Sequence, residues 1–297
     1  MLPGVYPGMD AIPGPLVSDR WLAERLGDPE IVVLDVTVHL DAPTSPHEPY
    51  DVRSGRADWE GAHVPGSRFA DLVDALSAPA APYPFTLPAP ERFAGAIARL
   101  GVGDDTCVIT YDTDAGMWAA RLWWMLRVFG HDRTAVLDGG LTAWSAAGHP
   151  VTAEPAPAPR RMSFTHRFRP ELVSGRDEVL AALEDPSVLL VNSLSSELHR
   201  GERSLYGRPG HIPGSVNVPA RSLLGSEGRF RDEPGLREQF RESGALEADR
   251  VIAYCGGGIS AANDALALAV LGRDDVAIYD GSLREWAGDP ELPLDTG

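Results

Sequence analysis

Cys255 stands where a strand, a glycine loop and a helix should meet, in Val251-Ile-Ala-Tyr-Cys-Gly-Gly-Gly-Ile-Ser-Ala261. The apolar run before it reads as a buried strand, and Ser260 through Leu271 reads as the following helix. A cysteine at that junction faces unpaired backbone N–H groups and the positive end of the helix dipole. Such a setting lowers a thiol pKa and favours the thiolate, the nucleophilic form. Glycines let the backbone close around an anion without a side-chain clash. The segment is therefore expected to hold a negatively charged sulfur species. A buried structural thiol is the ordinary alternative, and it serves Cys107, at the start of another strand, well. At Cys255 it would leave three adjacent glycines without a purpose.

Two other chemistries share parts of this pattern. Gly256-Gly-Gly-Ile-Ser-Ala261 fits G-x-G-x-x-A after a strand, and Asp280 ends the next strand at about the distance of a ribose-binding acid. The corresponding loop of the first half, Asp112-Thr-Asp-Ala-Gly116, lacks those glycines while Asp138 is still present. The acid is thus better read as part of a shared turn. Cysteine-dependent phosphatases need an arginine six positions after the cysteine to clamp a phosphoryl group, and Ala261 stands there. Neither reading displaces a sulfur-carrying thiol.

The elements that must position Cys255 occur twice, which decides the architecture. Val108-Ile-Thr-Tyr111, a loop, the helical stretch through Arg121-Leu-Trp-Trp-Met-Leu126, the strand Thr134-Ala-Val-Leu137 and Asp138-Gly-Gly140 with Trp144 form one series. Val251-Ile-Ala-Tyr254, loop, helix, Val276-Ala-Ile-Tyr279 and Asp280-Gly-Ser282 with Trp286 repeat it. Upstream, His63-Val-Pro-Gly66 matches His211-Ile-Pro-Gly214, and Ile31-Val-Val-Leu-Asp35 matches Val188-Leu-Leu-Val-Asn192. Short β-branched runs alternating with amphipathic helices predict an α/β fold, each half a mostly parallel sheet flanked by helices. Ser18 and Ser174 are expected to cap helices. The expected division is 1–150, an extended Pro/Ala linker over 151–165, and 166–297.

Composition narrows the partners. The 297 residues carry a net charge of −17 with no basic run, which argues against nucleic acid and anionic membranes. An anionic substrate must then be drawn by a local site and not by the global field. No stretch is long enough to span a membrane. The two cysteines make no disulfide framework, and the leader Met1–Asp10 lacks a signal-peptide pattern, so a cytoplasmic protein is expected. Scattered histidines give no metal site, and no cofactor is implied.

These motifs, with Tyr111-Asp112, Leu137-Asp-Gly-Gly-Leu141, Cys255-Gly-Gly-Gly258 and Tyr279-Asp-Gly-Ser-Leu-Arg-Glu-Trp286, resemble the tandem rhodanese-type sulfurtransferases nearly throughout. That group contains thiosulfate and 3-mercaptopyruvate sulfurtransferases. The resemblance implies two rhodanese-like domains, the second catalytic, with Asp112 standing where the first domain has lost its cysteine. It also implies ping-pong transfer of sulfane sulfur through a Cys255 persulfide, from a small anionic donor to cyanide or a thiol. Delivery to a sulfur-carrier protein in a biosynthetic pathway is an alternative acceptor. A non-enzymatic sulfur- or anion-binding module is the alternative from another class.

Several positions depart from the family pattern. Thiosulfate-type members carry cations where this chain has Gly256 and Gly257, and mercaptopyruvate-type members carry a serine at Gly257. The arginine usual in the Val-Asp-Ser-Arg segment is Leu194, and the usual tryptophan after Asp35 is Val38. Cys255 is the expected nucleophile. Gly256, Gly257, Gly258, Ile259 and Ser260 are expected to offer N–H groups to the thiolate, with Ser260 equally suited to cap the helix. Arg200 is the remaining cation expected at the donor, and His63 is a candidate for proton transfer from the first domain. His211 is expected to be structural, Met117 and Trp118 to line the cleft or the core, and the other tryptophans of the repeat to be core.

Overall fold

The computed structural model describes residues 12–44, 49–225 and 227–297. The expected leader over residues 1–10 lies outside the described residues. In chain order the first half contributes β1 (Leu16–Val17), β2 (Ile31–Asp35), β3 (Val38–Asp41), β4 (Asp51–Ser54), β5 (Arg68–Phe69), β6 (Cys107–Tyr111) and β7 (Thr134–Leu137). The second half contributes β8 (Val173–Ser174), β9 (Val188–Asn192), β10 (Val216–Asn217), β11 (Arg250–Tyr254) and β12 (Ala277–Tyr279). One sheet runs β1-β7-β6-β2-β5 and the other β10-β9-β11-β12-β8, so the second repeats the first strand for strand. Every pairing within these two sheets is parallel. β3 and β4 form a separate antiparallel hairpin.

Strands covered by helices on both faces are buried at nearly every residue, as parallel sheets require. All of β6 is buried, and β11 is buried from Val251 to Tyr254. The helices are α1 (Asp19–Ala23), α2 (Arg56–Gly61), α3 (Pro90–Arg99), α4 (Met117–Val128) and α5 (Gly140–Ala146), then α6 (Arg176–Ala182), α7 (Ser196–His199), α8 (Glu233–Phe240), α9 (Ser260–Val270) and α10 (Ser282–Trp286). Ser18 caps α1, its hydroxyl accepting from the Trp21 N–H. Ser174 does not cap α6. It pairs with Tyr279 at the end of β8, and its hydroxyl donates to Glu178 at 2.9 Å. Sheet pairing takes Ser174 one residue too early, leaving Gly175 at the cap.

The halves meet along α4 and α9, each buried over most of its length. The alanines of α9 let the tryptophan-rich α4 approach closely, and one apolar cluster runs through both halves. Trp118 is fully buried against Phe85, and Trp123, Trp124, Trp144 and Trp286 are also core. Across the junction the halves brace each other reciprocally. The Leu87 N–H donates to Asp280 and the Phe230 N–H donates to Asp138, both at 2.8 Å. The Pro/Ala connector runs without helix or strand along the first half, with Thr152 bridging to His63 and Phe164 packed on Phe93. Arg167 and Arg169 then donate backbone N–H groups to Phe129 and Val128.

Candidate active site

Cys255 directly follows β11, whose last residue Tyr254 pairs with Asn192 of β9. In such sheets the crevice beyond the carboxyl ends of the central strands receives ligands. The thiol is 2% exposed. One hydroxyl holds the loop in shape: Ser282 Oγ accepts from the N–H groups of Cys255 (3.1 Å) and Gly258 (3.0 Å) and donates to the Tyr279 carbonyl. The start of α10 closes on the loop from the same side, with Leu283 N–H on the Cys255 carbonyl and Arg284 N–H on the Gly256 carbonyl, both at 3.0 Å. Gly258 has φ +74°, a conformation L side chains rarely adopt, and a Cβ there would press on the Arg121 guanidinium.

Arg121 comes from the other half. It is fully buried, donates to the Gly258 carbonyl at 3.2 Å and to the Phe85 carbonyl at 2.7 Å, and pairs with Asp280 at 2.5 Å. Its guanidinium lies over Trp124, 4.5 Å from the ring centroid. A cation from α4 thereby fixes the orientation of a peptide in the Cys255 loop. At the same end of β11, directly before Cys255, the buried Tyr254 hydroxyl accepts from Ile212 N–H and bonds Ser215, tying the His211 turn to the strand. Burial pushes that phenol pKa up.

The backbone N–H groups of Gly256, Gly257, Ile259, Ser260 and Ala261 take no hydrogen bond among the described residues. The first half shows what such a ring of donors can hold. There Asp112 replaces the cysteine, and its carboxylate accepts from the N–H groups of Asp114, Gly116, Trp118 and Ala119 at 2.9 to 3.0 Å. Complete burial pushes the Asp112 pKa up to about 7, against the pull of those bonds. The carboxylate of Asp112 thus engages four N–H groups of its own loop, whereas the side chain of Cys255 offers no carboxylate to do the same.

The expected site residues divide. Gly256, Gly257, Gly258, Ile259 and Ser260 form the loop around Cys255. Ser260 is the first residue of α9 and makes no side-chain cap. Arg200 is not brought to the thiol. It ends α7, exposed, with its guanidinium on Glu202 at 2.7 Å and its carbonyl on Gly297. His63 is not brought there either: its ring is buried, stacked on Trp59, and engaged with the carbonyls of Trp59 and Glu154. His211 bonds the His199 carbonyl in the equivalent turn. Leu194 is buried and, with Tyr206 and Leu283, lines a cleft of about 10 Å³ beside the loop.

Four residues at the site escaped the sequence analysis. Ser282 had a signal, since the repeat has glycine at its counterpart, Gly140. Tyr50, Tyr206 and Arg284 had none, because three distant segments bring them together. A Cβ on Gly256 would overlap the Tyr206 hydroxyl, and a Cβ on Gly257 would lie 3.9 Å from the Tyr50 hydroxyl.

The rhodanese-like domain family model matches residues 18–147 and again 176–289, once over each sheet. The chain belongs to the rhodanese-like family. It is 36% identical over 282 residues to thiosulfate sulfurtransferase of Mus musculus, covering 91% of each chain. It is equally 36% identical, over 283 residues, to 3-mercaptopyruvate sulfurtransferase of Homo sapiens, again covering 91% of each. The crystal structure of SseA from Escherichia coli, described as a 3-mercaptopyruvate sulfotransferase, superposes with a TM-score of 0.78 at 34% identity, covering 91% of this chain and 98% of that one. The α/β architecture of two mostly parallel sheets flanked by helices is thus that of two rhodanese-like domains. Among the described residues no helix is long and apolar enough to cross a membrane.

Proposed function

We propose that Cys255 of this sulfurtransferase takes sulfane sulfur from a small anionic donor, thiosulfate or 3-mercaptopyruvate, and passes it to cyanide or a thiol. The observation that carries this reading is the thiol at the head of a loop in which the N–H groups of Gly256, Gly257, Ile259 and Ser260 take no hydrogen bond among the described residues. In the first step the Cys255 thiolate attacks the outer sulfur of the donor and forms an S–S bond. With thiosulfate the donor S–S bond breaks and sulfite leaves with the electron pair. With 3-mercaptopyruvate the C–S bond breaks, and the enolate left behind takes up a proton to become pyruvate. In the second step the acceptor attacks the outer sulfur and the Cys255 thiolate leaves. The amides of Gly256, Gly257, Ile259 and Ser260 would hold the negative charge in both steps, preorganised by Ser282 and Arg121, while the expected Gly258 N–H is spent on Ser282. The two free thiols suit a reducing compartment, and the cytoplasm is the proposed location.

Intact-mass analysis tests the reading directly. Incubation with thiosulfate or 3-mercaptopyruvate should add one sulfur atom, cyanide should remove it, and Cys255→Ser should show no increment. The absence of an increment with both donors would reject sulfur transfer from these compounds and favour an anion-binding module.

A further inference from the structure

Phenol hydroxyls withdrawn from water normally find a partner, and those of Tyr111, Tyr254 and Tyr279 do, on Ser67, Ser215 and Glu285. Tyr206 differs. It is half-buried beside Leu194, Leu198 and Leu283, and its hydroxyl makes no hydrogen bond among the described residues. That hydroxyl lies against Gly256, the residue directly after the thiol. A Cβ on Gly256 would overlap both the hydroxyl and the ring carbon that bears it. Gly256 therefore has a steric reason: the space of a loop side chain belongs here to a phenol.

The phenol is held by the same helix that holds the loop. Ser204 Oγ donates to the Gly207 carbonyl at 3.0 Å and closes the turn that carries Tyr206. Two residues on, the Arg208 guanidinium donates to the carbonyls of Ala287 (3.1 Å), Trp286 (3.2 Å) and Asp289 (2.6 Å), at the end of α10. The start of α10 donates the N–H groups of Leu283 and Arg284 to the carbonyls of Cys255 and Gly256. One short helix thus fixes both the thiol and the turn that brings the free hydroxyl to it.

We propose that the Tyr206 hydroxyl donates a hydrogen bond to the carbonyl oxygen of 3-mercaptopyruvate as that oxygen becomes an enolate, a catalytic role specific to this donor. The inference rests on the sulfurtransferase reading and deepens it. The Cys255 thiolate attacks the donor sulfur, an S–S bond forms and the C–S bond breaks. The transferred sulfur keeps its proton as Cys255–S–SH. The electron pair of the broken bond leaves as the enolate, whose charge rests on oxygen, and the methylene carbon then takes a proton from water to give pyruvate. A donor to that oxygen binds the transition state more strongly than the ketone, so it lowers the barrier. Burial pushes the Tyr206 pKa up, which keeps the hydroxyl protonated as a donor. Thiosulfate makes no such demand. Its oxygens are anionic before and after sulfite leaves, so a donor to them serves both states alike.

Tyr206→Phe keeps the ring and removes a hydroxyl that holds nothing else, so its urea midpoint should match the parent's. Single-turnover persulfide loading, read by intact mass, should slow about a hundredfold with 3-mercaptopyruvate, the cost of removing one donor to a developing oxyanion, and stay within about threefold with thiosulfate. An equal loss with both donors, or none with 3-mercaptopyruvate, overturns the assignment. Loading of the parent from thiosulfate alone overturns it too, and leaves sulfur transfer standing. The placement of the phenol has a test of its own without sulfur chemistry. Gly256→Ala should destabilise the parent and be nearly neutral beside Tyr206→Ala, which vacates the overlapped space; additive losses in this cycle would remove Tyr206 from the loop and overturn the inference. Coupling in the cycle with loading from neither donor would reject the sulfurtransferase reading, and the role of Tyr206 with it, while keeping its place against Gly256.

Discussion

Ser282 concentrates the stability of the loop in one atom. Its oxygen serves two N–H groups of the loop and is buried completely. It does so at φ +50°, a strained value for a residue with a Cβ. Ser282→Ala leaves both N–H groups buried without a partner and keeps the strain, so a loss of about 2–4 kcal/mol is expected. Ser282→Gly loses the same bonds but relieves the backbone, and should be about 1 kcal/mol less destabilising than alanine. Urea unfolding of the three proteins checks the order, serine above glycine above alanine. Both variants should also load sulfur more slowly by mass spectrometry, because the amides around Cys255 lose their fixed direction. The first half supports this view of the position. Its counterpart Gly140 also has positive φ, and a Cβ there would overlap the Asp112 carbonyl.

At the level of elements, the turn between β9 and β10 carries a pH response. His199 stacks on His211 with ring centroids 3.8 Å apart and bonds Asn192, the residue paired with Tyr254 beside the Cys255 loop. Burial, then the neighbouring His211 and Arg200, pushes the His199 pKa down to about 4. The unfolded chain binds that proton near pH 6.5, so it holds more protons than the folded chain between these values. Stability from this residue is complete above about pH 6.5 and is lost as pH falls towards 4. Thermal unfolding at pH 7.5, 6 and 5 should show a falling midpoint, and His199→Gln should flatten that fall. An equal slope in both proteins would assign the response elsewhere. The strands around this turn were legible because fully buried parallel strands such as β6 and β11 write themselves as unbroken apolar runs. Ser174 was misread because capping and sheet pairing compete for the same residue, and only the β12 partner decides. Cys255 and its glycines were legible as a contiguous pattern. Arg284, Tyr50 and Tyr206 were not, since their proximity is created by tertiary packing across three segments. Arg200 and His63 were over-read for a different reason: Glu202 and Trp59, which claim them, stand close by in the sequence, where a local partner competes with a role at the thiol.

Across the whole molecule, the loop that carries Cys255 in the second half is held in place by the first. Arg121 crosses from α4 to the Gly258 carbonyl and Asp280, and α4 and α9 share one apolar cluster. Arg121→Met would leave Asp280 without its cationic partner in a mostly dry interface, and a cost of about 3–5 kcal/mol is expected. A double-mutant cycle with Asp280→Asn should recover part of that loss, since it removes the stranded charge. The same connection predicts that the halves unfold together. Domains joined by a linker and a thin interface melt separately, whereas a continuous core makes the transition cooperative. Intrinsic probes are conveniently segregated for the test. Six of the seven tryptophans lie before the linker and only Trp286 lies after it, while Cys255 reports on the second half. Tryptophan fluorescence and the alkylation rate of Cys255 should therefore give coincident urea midpoints in the parent protein. In Arg121→Met the two midpoints should fall together if the core alone maintains the coupling, and should separate if the coupling runs mainly through the Arg121–Asp280 bridge. Separate midpoints in the parent protein would show that the shared apolar cluster does not join the halves into one cooperative unit.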